Sequence, residues 1–410
     1  MIISQTNKIL YFLLSFTIFI GLYIGEDSAG SGGFTGDFIQ TLVLVKDPFQ
    51  AEMFGAGNLI DMKFPLHYYV ASLIYFLLEN DFYLRFVYVT ISIVCPYIFY
   101  LCLKEKYKNI DANNLFIFSL TIFLLPTFRS SAIWANTQIT AIIFFLLALY
   151  FFTKWQFKKN INLNLFFFLF FMACAVYTRQ EYSLPYLFFV YYFYKELRFI
   201  NFIKTCVIIL TLAIPGLVLV SIYPTLIPFS LNVDFYDSLL VNSSIISFYL
   251  IPLFLINFFI KNKIKKLNLK QILIGALIAF SIVFLCSLNF NYNYRMGGGF
   301  FIKASIILFD NLYFFYLTSF LGFFCIYLLS LESRKNIVLC LILIIGFSAY
   351  VVFQKYFEPM FFLLLFLVCD TKLTKNLLTK KLNIILFQLY FFLYLGAALI
   401  NNYFLITKQL

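Results

Sequence analysis

Acidic residues and glycines are concentrated in one polar stretch of an otherwise apolar chain, between Gly25 and Lys63. The stretch reads GEDSAGSGGFTGDFIQTLVLVKDPFQAEMFGAGNLIDMK and holds seven glycines. Glycine lets the backbone approach a ligand closely, and a carboxylate can accept a proton from a hydroxyl group or bind a divalent cation. The combination therefore indicates acid–base chemistry. The six carboxylates belong to Glu26, Asp27, Asp37, Asp47, Glu52 and Asp61.

Asp37 is the strongest candidate for a catalytic residue in this stretch. It follows the glycines, and the segment Asp37–Val45 carries apolar residues at helical spacing. This spacing predicts a short interfacial helix with Asp37 immediately before it. A carboxylate at a helix start can also serve only as an N-cap, so both roles stay open. Glu26 and Asp27 are the alternative catalytic acids, and one acid here could hold Mg²⁺ or Mn²⁺, although no metal ligand is assigned.

Basic residues recur in the later connections between apolar runs. Arg129 lies in the segment FRSSAIWANTQ (128–138), and Arg179 lies in YTRQEY (177–182). Arginine binds phosphate through a bidentate fork, so cations near an acidic stretch predict a phosphate-bearing substrate. For each cation the alternative is a side chain that reaches the membrane interface without binding anything. The candidate substrate-binding residues are His67, Arg129, Arg179, Glu181, Tyr292, Arg295, Lys355 and Tyr356.

The elements that must position these residues are membrane helices. Hydrophobic residues make up 63% of the 410-residue chain, and the mean hydropathy is +0.93. Apolar runs of roughly 17–25 residues are long enough to cross a bilayer as helices. The runs do not alternate apolar and polar residues, which excludes a barrel. The net charge of +12 comes from short clusters between the runs, so it indicates membrane orientation and not a nucleic-acid partner.

The basic clusters predict the topology. The run Phe64–Leu78 is only about 15 residues long, which is marginal for a span. If it dips into the outer leaflet without crossing, 21 of the 30 basic residues fall on the cytoplasmic side, as the positive-inside rule requires. The sequence then predicts a single all-α transmembrane domain with a cytoplasmic N-terminus, an outer C-terminus, and an external loop over 25–81 that carries interfacial helices. Thirteen spans are predicted, at roughly 9–24, 82–103, 113–128, 137–153, 162–177, 182–194, 205–223, 243–260, 271–288, 304–330, 337–352, 359–369 and 383–403.

The arrangement resembles the GT-C superfamily of integral-membrane glycosyltransferases, which includes protein O-mannosyltransferases and lipid A aminoarabinose transferases. Members have a first span, a large outer loop with a catalytic acid before an interfacial helix, and then a helix with a PPLYY-like start. Asp37 and Phe64–Tyr69 are similar to these features. Arg129 and Arg179 resemble the arginines of later outer motifs, and the segment 355–359 (KYFEP) resembles a late RYxxP-like motif. The chain departs from the family in lacking an Asp-Glu pair at Asp37.

The resemblance implies an inverting glycosyltransferase that uses a sugar on polyprenyl phosphate. The acceptor would be a glycan, a lipid or a protein, on the outer (periplasmic) face of a bacterial inner membrane. The apolar spans would hold the prenyl tail, and membrane lipids would surround the protein. An O-antigen-type polysaccharide polymerase is an alternative, and so is a flippase or other transporter of lipid-linked glycans. Transporters often contain internal repeats and broken helices, and the sequence displays neither.

Overall fold

The computed structural model describes residues 3–29, 33–46, 64–156, 161–222, 235–259, 268–292, 297–347 and 352–402. Within these ranges the chain is helical and contains no strand. The chain divides into two compact units. The first comprises Met1–Ser183, Phe193–Pro228 and Gln388–Leu410, and the second comprises Leu184–Tyr192 and Phe229–Phe387.

Twenty α-helices occur in the described residues. The first eleven are α1 (Gln5–Ile24), α2 (Gly33–Lys46), α3 (Leu66–Leu78), α4 (Asp81–Ser92), α5 (Cys95–Lys106), α6 (Ala112–Ser119), α7 (Pro126–Ile133), α8 (Thr137–Trp155), α9 (Leu163–Val176), α10 (Ser183–Glu196) and α11 (Phe199–Ile222). The others are α12 (Phe235–Phe259), α13 (Leu269–Ser287), α14 (Gly299–Phe309), α15 (Tyr313–Glu332), α16 (Arg334–Gly346), α17 (Gln354–Phe357), α18 (Met360–Leu367), α19 (Lys372–Thr379) and α20 (Lys381–Ile400).

Polar residues at the helix boundaries explain where many helices start and stop. Asn80, Asn136 and Asn162 each accept a backbone N–H of the following first turn, at α4, α8 and α9. Such caps satisfy amide groups that have no partner within the helix. At the other end of α1, Gly25 adopts a left-handed conformation with φ 68°, which a glycine tolerates well. Pro126 lies in the first turn of α7, where its missing N–H costs nothing.

The helices are those of a polytopic membrane protein. In the described residues, eight helical segments are long and apolar enough to cross a bilayer. A ninth span results if Ala112–Leu124 and Pro126–Ile133, which meet at a 66° bend, count as one. The eight segments are Gln5–Ile24, Asp81–Lys106, Thr137–Trp155, Phe199–Ile222, Phe235–Phe258, Leu269–Ser287, Tyr313–Glu332 and Lys381–Ile400.

Two predicted spans are broken in the structure. The predicted span 304–330 is divided between α14 and α15, because Asp310 adopts a left-handed conformation with φ 52° and ends α14. The amide of Tyr313 then bonds the Asn311 side chain at 3.0 Å as α15 begins. The predicted span 113–128 is interrupted at Leu125, where the backbone becomes extended before Pro126. Arg129, expected in an outer loop, therefore lies on a short helix, α7.

The predicted outer loop contains two helices in its described part, α2 and α3. The helix expected to follow Asp37 is present but begins earlier, at Gly33. The 13 residues of α3 rise only about 20 Å at 1.5 Å per residue, less than a hydrocarbon core of about 30 Å. Residues 47–63 lie outside the described residues. This range includes three of the six acids, Asp47, Glu52 and Asp61.

Each unit has its own core. In the first, α8 packs along α9 through aromatic pairs such as Phe152–Phe168, whose ring centroids are 5.3 Å apart. In the second, α12 and α15 approach closely through small residues: Ser243 Oγ donates to the Ser319 carbonyl at 2.8 Å, beside Gly322. Small residues and interhelical hydrogen bonds are the usual means of packing helices in membranes. Every side chain of α18 is buried, so the predicted span 359–369 is an interior helix of eight residues.

Candidate functional site

A buried ion pair joins the end of the first span to α7. Arg129 donates from Nε to Glu26 Oε1 at 2.8 Å and from Nη2 to Glu26 Oε2 at 2.6 Å. Both residues are about 5% exposed or less. The Arg129 guanidinium also donates to the Thr17 hydroxyl at 2.9 Å and to the Thr17 carbonyl at 3.1 Å. A bidentate pair with further hydrogen bonds is the arrangement that a buried charge requires.

Local structure places Glu26 at this position. The left-handed turn at Gly25 ends α1 and returns the Glu26 amide to the Gly21 carbonyl, at 2.8 Å. The Trp134 indole N–H donates to the Glu26 carbonyl at 2.9 Å. The Arg85 guanidinium lies 3.8 Å from the centre of the Trp134 ring, a cation–π contact. The backbone that carries Glu26 is thus held from both α1 and the end of α7.

Asp27 faces the start of α2. Its Oδ2 accepts the backbone N–H of Thr35 at 3.1 Å and the Thr35 hydroxyl at 3.3 Å. A carboxylate that accepts a backbone N–H of the first turn stabilises the N-terminus of a helix. The next residue, Ser28, is buried, and its hydroxyl oxygen lies 3.0 Å from the hydroxyl oxygen of Ser130. Asp27 therefore contributes to the anchoring of α2, whatever further role it has.

Asp37 lies inside α2 and not before it. It is the fifth residue of the helix, and it is half-buried. The prediction that Asp37 precedes the helix, and its alternative role as an N-cap, are wrong, since the helix begins at Gly33. Asn136 Nδ2 donates to Asp37 Oδ2 at 3.1 Å. The side chain is thus directed toward the N-terminus of α8.

Hydrogen bonds continue from Asp37 to Arg179. The Asn136 Oδ1 accepts the Thr137 hydroxyl at 3.2 Å, and Thr137 Oγ1 in turn accepts Arg179 Nη1 at 3.2 Å. Arg179 also pairs with Glu181, with 2.5 Å between Nη2 and Oε1. Arg179 is 2% exposed. This connected set, Asp37–Asn136–Thr137–Arg179–Glu181, is called the polar relay below.

His67 lies on α3 and is fully buried. Its Nδ1 is 2.8 Å from Thr140 Oγ1 and 3.5 Å from the Tyr88 hydroxyl. Thr140 is three residues after Thr137 on α8, so the two threonines lie on neighbouring turns of one face. His67 therefore contacts the helix that carries the polar relay, through an adjacent turn.

The remaining predicted binding residues belong to the second unit. The Tyr292 hydroxyl donates to the Val352 carbonyl at 3.1 Å and accepts the Val352 amide at 2.8 Å. Burial raises the pKa of Tyr292 to about 12. Lys355 lies 5.1 Å from the centre of the Phe353 ring, and the Tyr356 ring stacks on Phe347. Arg295 lies outside the described residues.

Sequence reasoning missed Asn136 and Thr137 as parts of the site. Asn136 is recognisable in the sequence as a helix cap, but nothing in the pattern indicates that its amide reaches Asp37. In the second unit, Glu358 was also missed as a buried acid. It is 0% exposed, and its Oε2 accepts the Tyr249 hydroxyl at 3.1 Å.

Metal ligands are not grouped in the described part of the chain. No cluster of three or more His, Cys, Asp and Glu residues that could hold a metal ion occurs there. The eight cysteines are free thiols, six of them buried. A role for Mg²⁺ or Mn²⁺ therefore stays a prediction that rests on the acids of the polar stretch between Gly25 and Lys63. This stretch follows the first span and is called the first connection below.

No protein-family model, curated protein or solved structure matches this chain. The resemblance to the GT-C superfamily therefore rests on the sequence pattern alone. The fold defines the class: an all-helical, polytopic membrane protein. Its first unit contains a buried Glu26–Arg129 pair, a partly buried Arg179–Glu181 pair and a hydrogen-bonded link from Asp37 to Arg179.

Proposed function

We propose that this protein is a membrane glycosyltransferase that transfers a sugar from a polyprenyl-phosphate donor to an acceptor hydroxyl. One observation supports this most: within the first unit, acids of the first connection are paired with or linked to arginines of later segments. Glu26 pairs with Arg129, and Asp37 is linked to Arg179 through two side chains. Buried ionisable groups in membrane proteins are costly, so such a concentration favours a functional site.

In the proposed reaction Asp37 acts as general base. It is half-buried, and the Asn136 amide orients one of its carboxylate oxygens. A carboxylate in this setting can take the proton of an acceptor hydroxyl as that oxygen attacks the anomeric carbon. Inversion at that carbon follows from a single displacement, and the polyprenyl phosphate leaves with the electron pair of the broken bond.

The arginines would bind the phosphate by exchanging a carboxylate partner. Arg129 presents a bidentate fork to Glu26, which is also the geometry that phosphate accepts. Arg179 is paired with Glu181 at the end of the polar relay. A donor phosphate that replaces either glutamate would keep the guanidinium paired. The proposed site is confined to residues of the first unit.

The same proposal includes the number of spans and the side of the membrane on which each terminus lies. Thirteen spans, a cytoplasmic N-terminus and an outer C-terminus would place the first connection on the outer face of a bacterial inner membrane. The acceptor there would be a glycan, a lipid or a protein. The positive-inside distribution of 21 of the 30 basic residues supports this orientation.

The direct test is sugar transfer in proteoliposomes that contain a polyprenyl-phosphate sugar and an acceptor. Asp37→Asn removes the proton acceptor and keeps the shape of the side chain. We expect transfer to fall by roughly 10²–10⁴-fold, the usual contribution of general-base catalysis. Asp81→Asn is the matched control, because Asp81 makes an exposed ion pair with Lys46 at 3.7 Å. The control should retain full activity.

Full activity of Asp37→Asn would contradict the assignment of the base. If Asp27→Asn or Glu26→Gln then abolished transfer, the base would lie at the end of the first span. No transfer by the wild-type protein with any polyprenyl-phosphate sugar would contradict the proposed reaction itself.

A transporter of lipid-linked glycans is the second candidate, and one observation favours it. The pair formed by Ala112–Leu124 and α7 is a broken membrane helix with a 66° bend, and its second half carries Arg129. Discontinuous helices of this kind form substrate sites in transporters. A labelled donor lipid in the same proteoliposomes separates the two functions, because a transporter would move this lipid between leaflets without transferring its sugar.

A further inference from the structure

The short helix α19 has one buried face and one cationic face. Its apolar and small residues are buried in the second unit, at Leu373, Thr374, Leu377 and Leu378. This stripe repeats every three to four residues, as an amphipathic helix requires. The lysines on the opposite face are exposed, and more follow at the start of α20. The four exposed lysines, Lys372, Lys375, Lys380 and Lys381, are called the lysine strip.

Hydrogen bonds hold α19 at the ends of two membrane-spanning segments. The segment α20 begins at Lys381, and α15 ends at Glu332. The Glu332 carboxylate accepts the backbone N–H of Lys372 at 2.7 Å. Asn336 donates to the Asp370 carbonyl and accepts the Asp370 amide, both at 2.9 Å. The lysine strip therefore lies where the spans leave the hydrocarbon, which is the depth of lipid headgroups.

The positive charges of the lysine strip are not neutralised by ion pairs within the described part of the protein. In the described residues, none of the four ammonium groups takes part in an ion pair. The Glu332 carboxylate accepts a backbone N–H and not a lysine ammonium group. Arg334, which begins α16 two residues after Glu332, adds a further exposed cation. The surface thus carries a dense positive charge beside a bilayer.

We propose that the lysine strip binds the anionic headgroups of phospholipids. Clusters of about four to eight Lys or Arg residues beside a transmembrane helix, or on an amphipathic helix, attract anionic lipid. The long aliphatic stems of lysine let the charges reach phosphates while α19 stays packed. This surface is separate from the proposed transferase site, and the proposal holds whichever leaflet the strip faces.

The experiment compares lipids at the surface of the full-length protein in nanodiscs of mixed phosphatidylcholine and phosphatidylglycerol. Spin-labelled phosphatidylglycerol and phosphatidylcholine report their relative association with the protein by electron paramagnetic resonance. The test variant changes Lys372, Lys375, Lys380 and Lys381 to glutamine. We expect the preference for phosphatidylglycerol to fall at least roughly fivefold at low salt, the effect of one well-placed lysine at an anionic surface.

A second variant controls for net charge and folding. It changes four exposed cations of the first unit, Lys104, Lys195, Arg198 and Lys204, to glutamine. This variant should keep most of the preference, and the wild-type preference should weaken as salt is added, because ions screen surface charges. Thermal unfolding of both variants confirms that they are folded.

Three results would overturn the proposal. In the first, the wild type would associate equally with both lipids. In the second, both variants would lose the preference to the same extent. In the third, free glycerol phosphate at matched ionic strength would remove the preference, which would mean a site for a soluble anion. Loss of preference in the lysine-strip variant alone would support it.

Discussion

Glutamate partners decide what the two buried arginines of the first unit can do. Arg129 and Arg179 were expected to bind phosphate. In the structure, the guanidinium of each forms an ion pair with a glutamate carboxylate. An arginine held this way is already neutralised and oriented. A phosphate that enters must displace a glutamate, so binding would release a carboxylate that can then accept another partner.

The Glu26–Arg129 pair gives a prediction at this scale. Glu26→Gln leaves Arg129 charged and without its carboxylate in a buried position. We expect a loss of roughly 3–5 kcal/mol in unfolding free energy, the usual cost of removing one partner of a buried pair. Chemical denaturation in detergent measures it. Glu26→Gln with Arg129→Gln should recover part of the loss, because no buried charge remains. Equal stability of Glu26→Gln and wild type would mean that water reaches the pair.

Asn136 gives a second prediction. Its Oδ1 caps α8 at Gln138, and its Nδ2 donates to Asp37. Asn136→Asp keeps the cap, since Asp and Asn cap equally well, and replaces the donor by a second carboxylate. The new carboxylate and that of Asp37 repel each other, so we expect a lower melting temperature. We also expect a fall in transfer of roughly 10–100-fold, the loss of one hydrogen bond to a charged group.

The matched comparison is Asn162→Asp, at the cap of α9, where the amide oxygen accepts the Leu165 N–H at 3.1 Å. This variant should retain both stability and transfer. If Asn136→Asp were as active as Asn162→Asp, Asn136 would be a cap and nothing more.

At the scale of elements, helix breaks and close helix contacts shape each unit. The break at Leu125–Pro126 places Arg129 on a separate short helix, and the break at Asp310 separates α14 from α15. In the second unit, α12 and α15 approach so closely that Gly322 faces backbone. A Cβ added at Gly322 would lie 2.2 Å from the Ser243 carbonyl oxygen.

Gly322→Ala should therefore destabilise the second unit. Backbone cannot move aside as a flexible side chain can, and overpacking of this kind costs typically about 1–3 kcal/mol. Gly396→Ala on α20 is the control, because a Cβ there meets nothing within 4 Å and alanine favours helix. Thermal unfolding in detergent should show a lower midpoint for the first variant only. Equal midpoints would mean that α12 and α15 separate without cost.

At the scale of the whole molecule, orientation in the membrane is the main prediction. Single cysteines introduced between 261 and 270 of a cysteine-free protein should resist membrane-impermeant reagents added from outside. A cysteine at Glu79, which is exposed in the predicted external loop, should react. The reason is the energetic preference for basic clusters on the cytoplasmic side. Labelling between 261 and 270 from outside would reverse the topology and place the acids of the first connection inside.

The sequence by itself determined the helical membrane class, because long apolar runs leave a backbone no other way to satisfy its hydrogen bonds in lipid. It also indicated a short helix near Asp37, because helical spacing of apolar residues depends only on neighbouring residues. The points at which a helix ends inside an apolar run were less predictable. Asp310 and Leu125 end helices within apolar runs whose hydropathy continues on both sides, and hydropathy does not report a break.

Only the tertiary structure decided which charges meet. Glu26 and Arg129 are 103 residues apart, and Asp37 and Asn136 are 99 apart, so no local spacing brings them together. Sequence reasoning could place the acids and the arginines in polar connections, where the cost of burying a lone charge requires partners. The identity of each partner depends on which helix ends pack side by side, and that follows from the packing of whole helices.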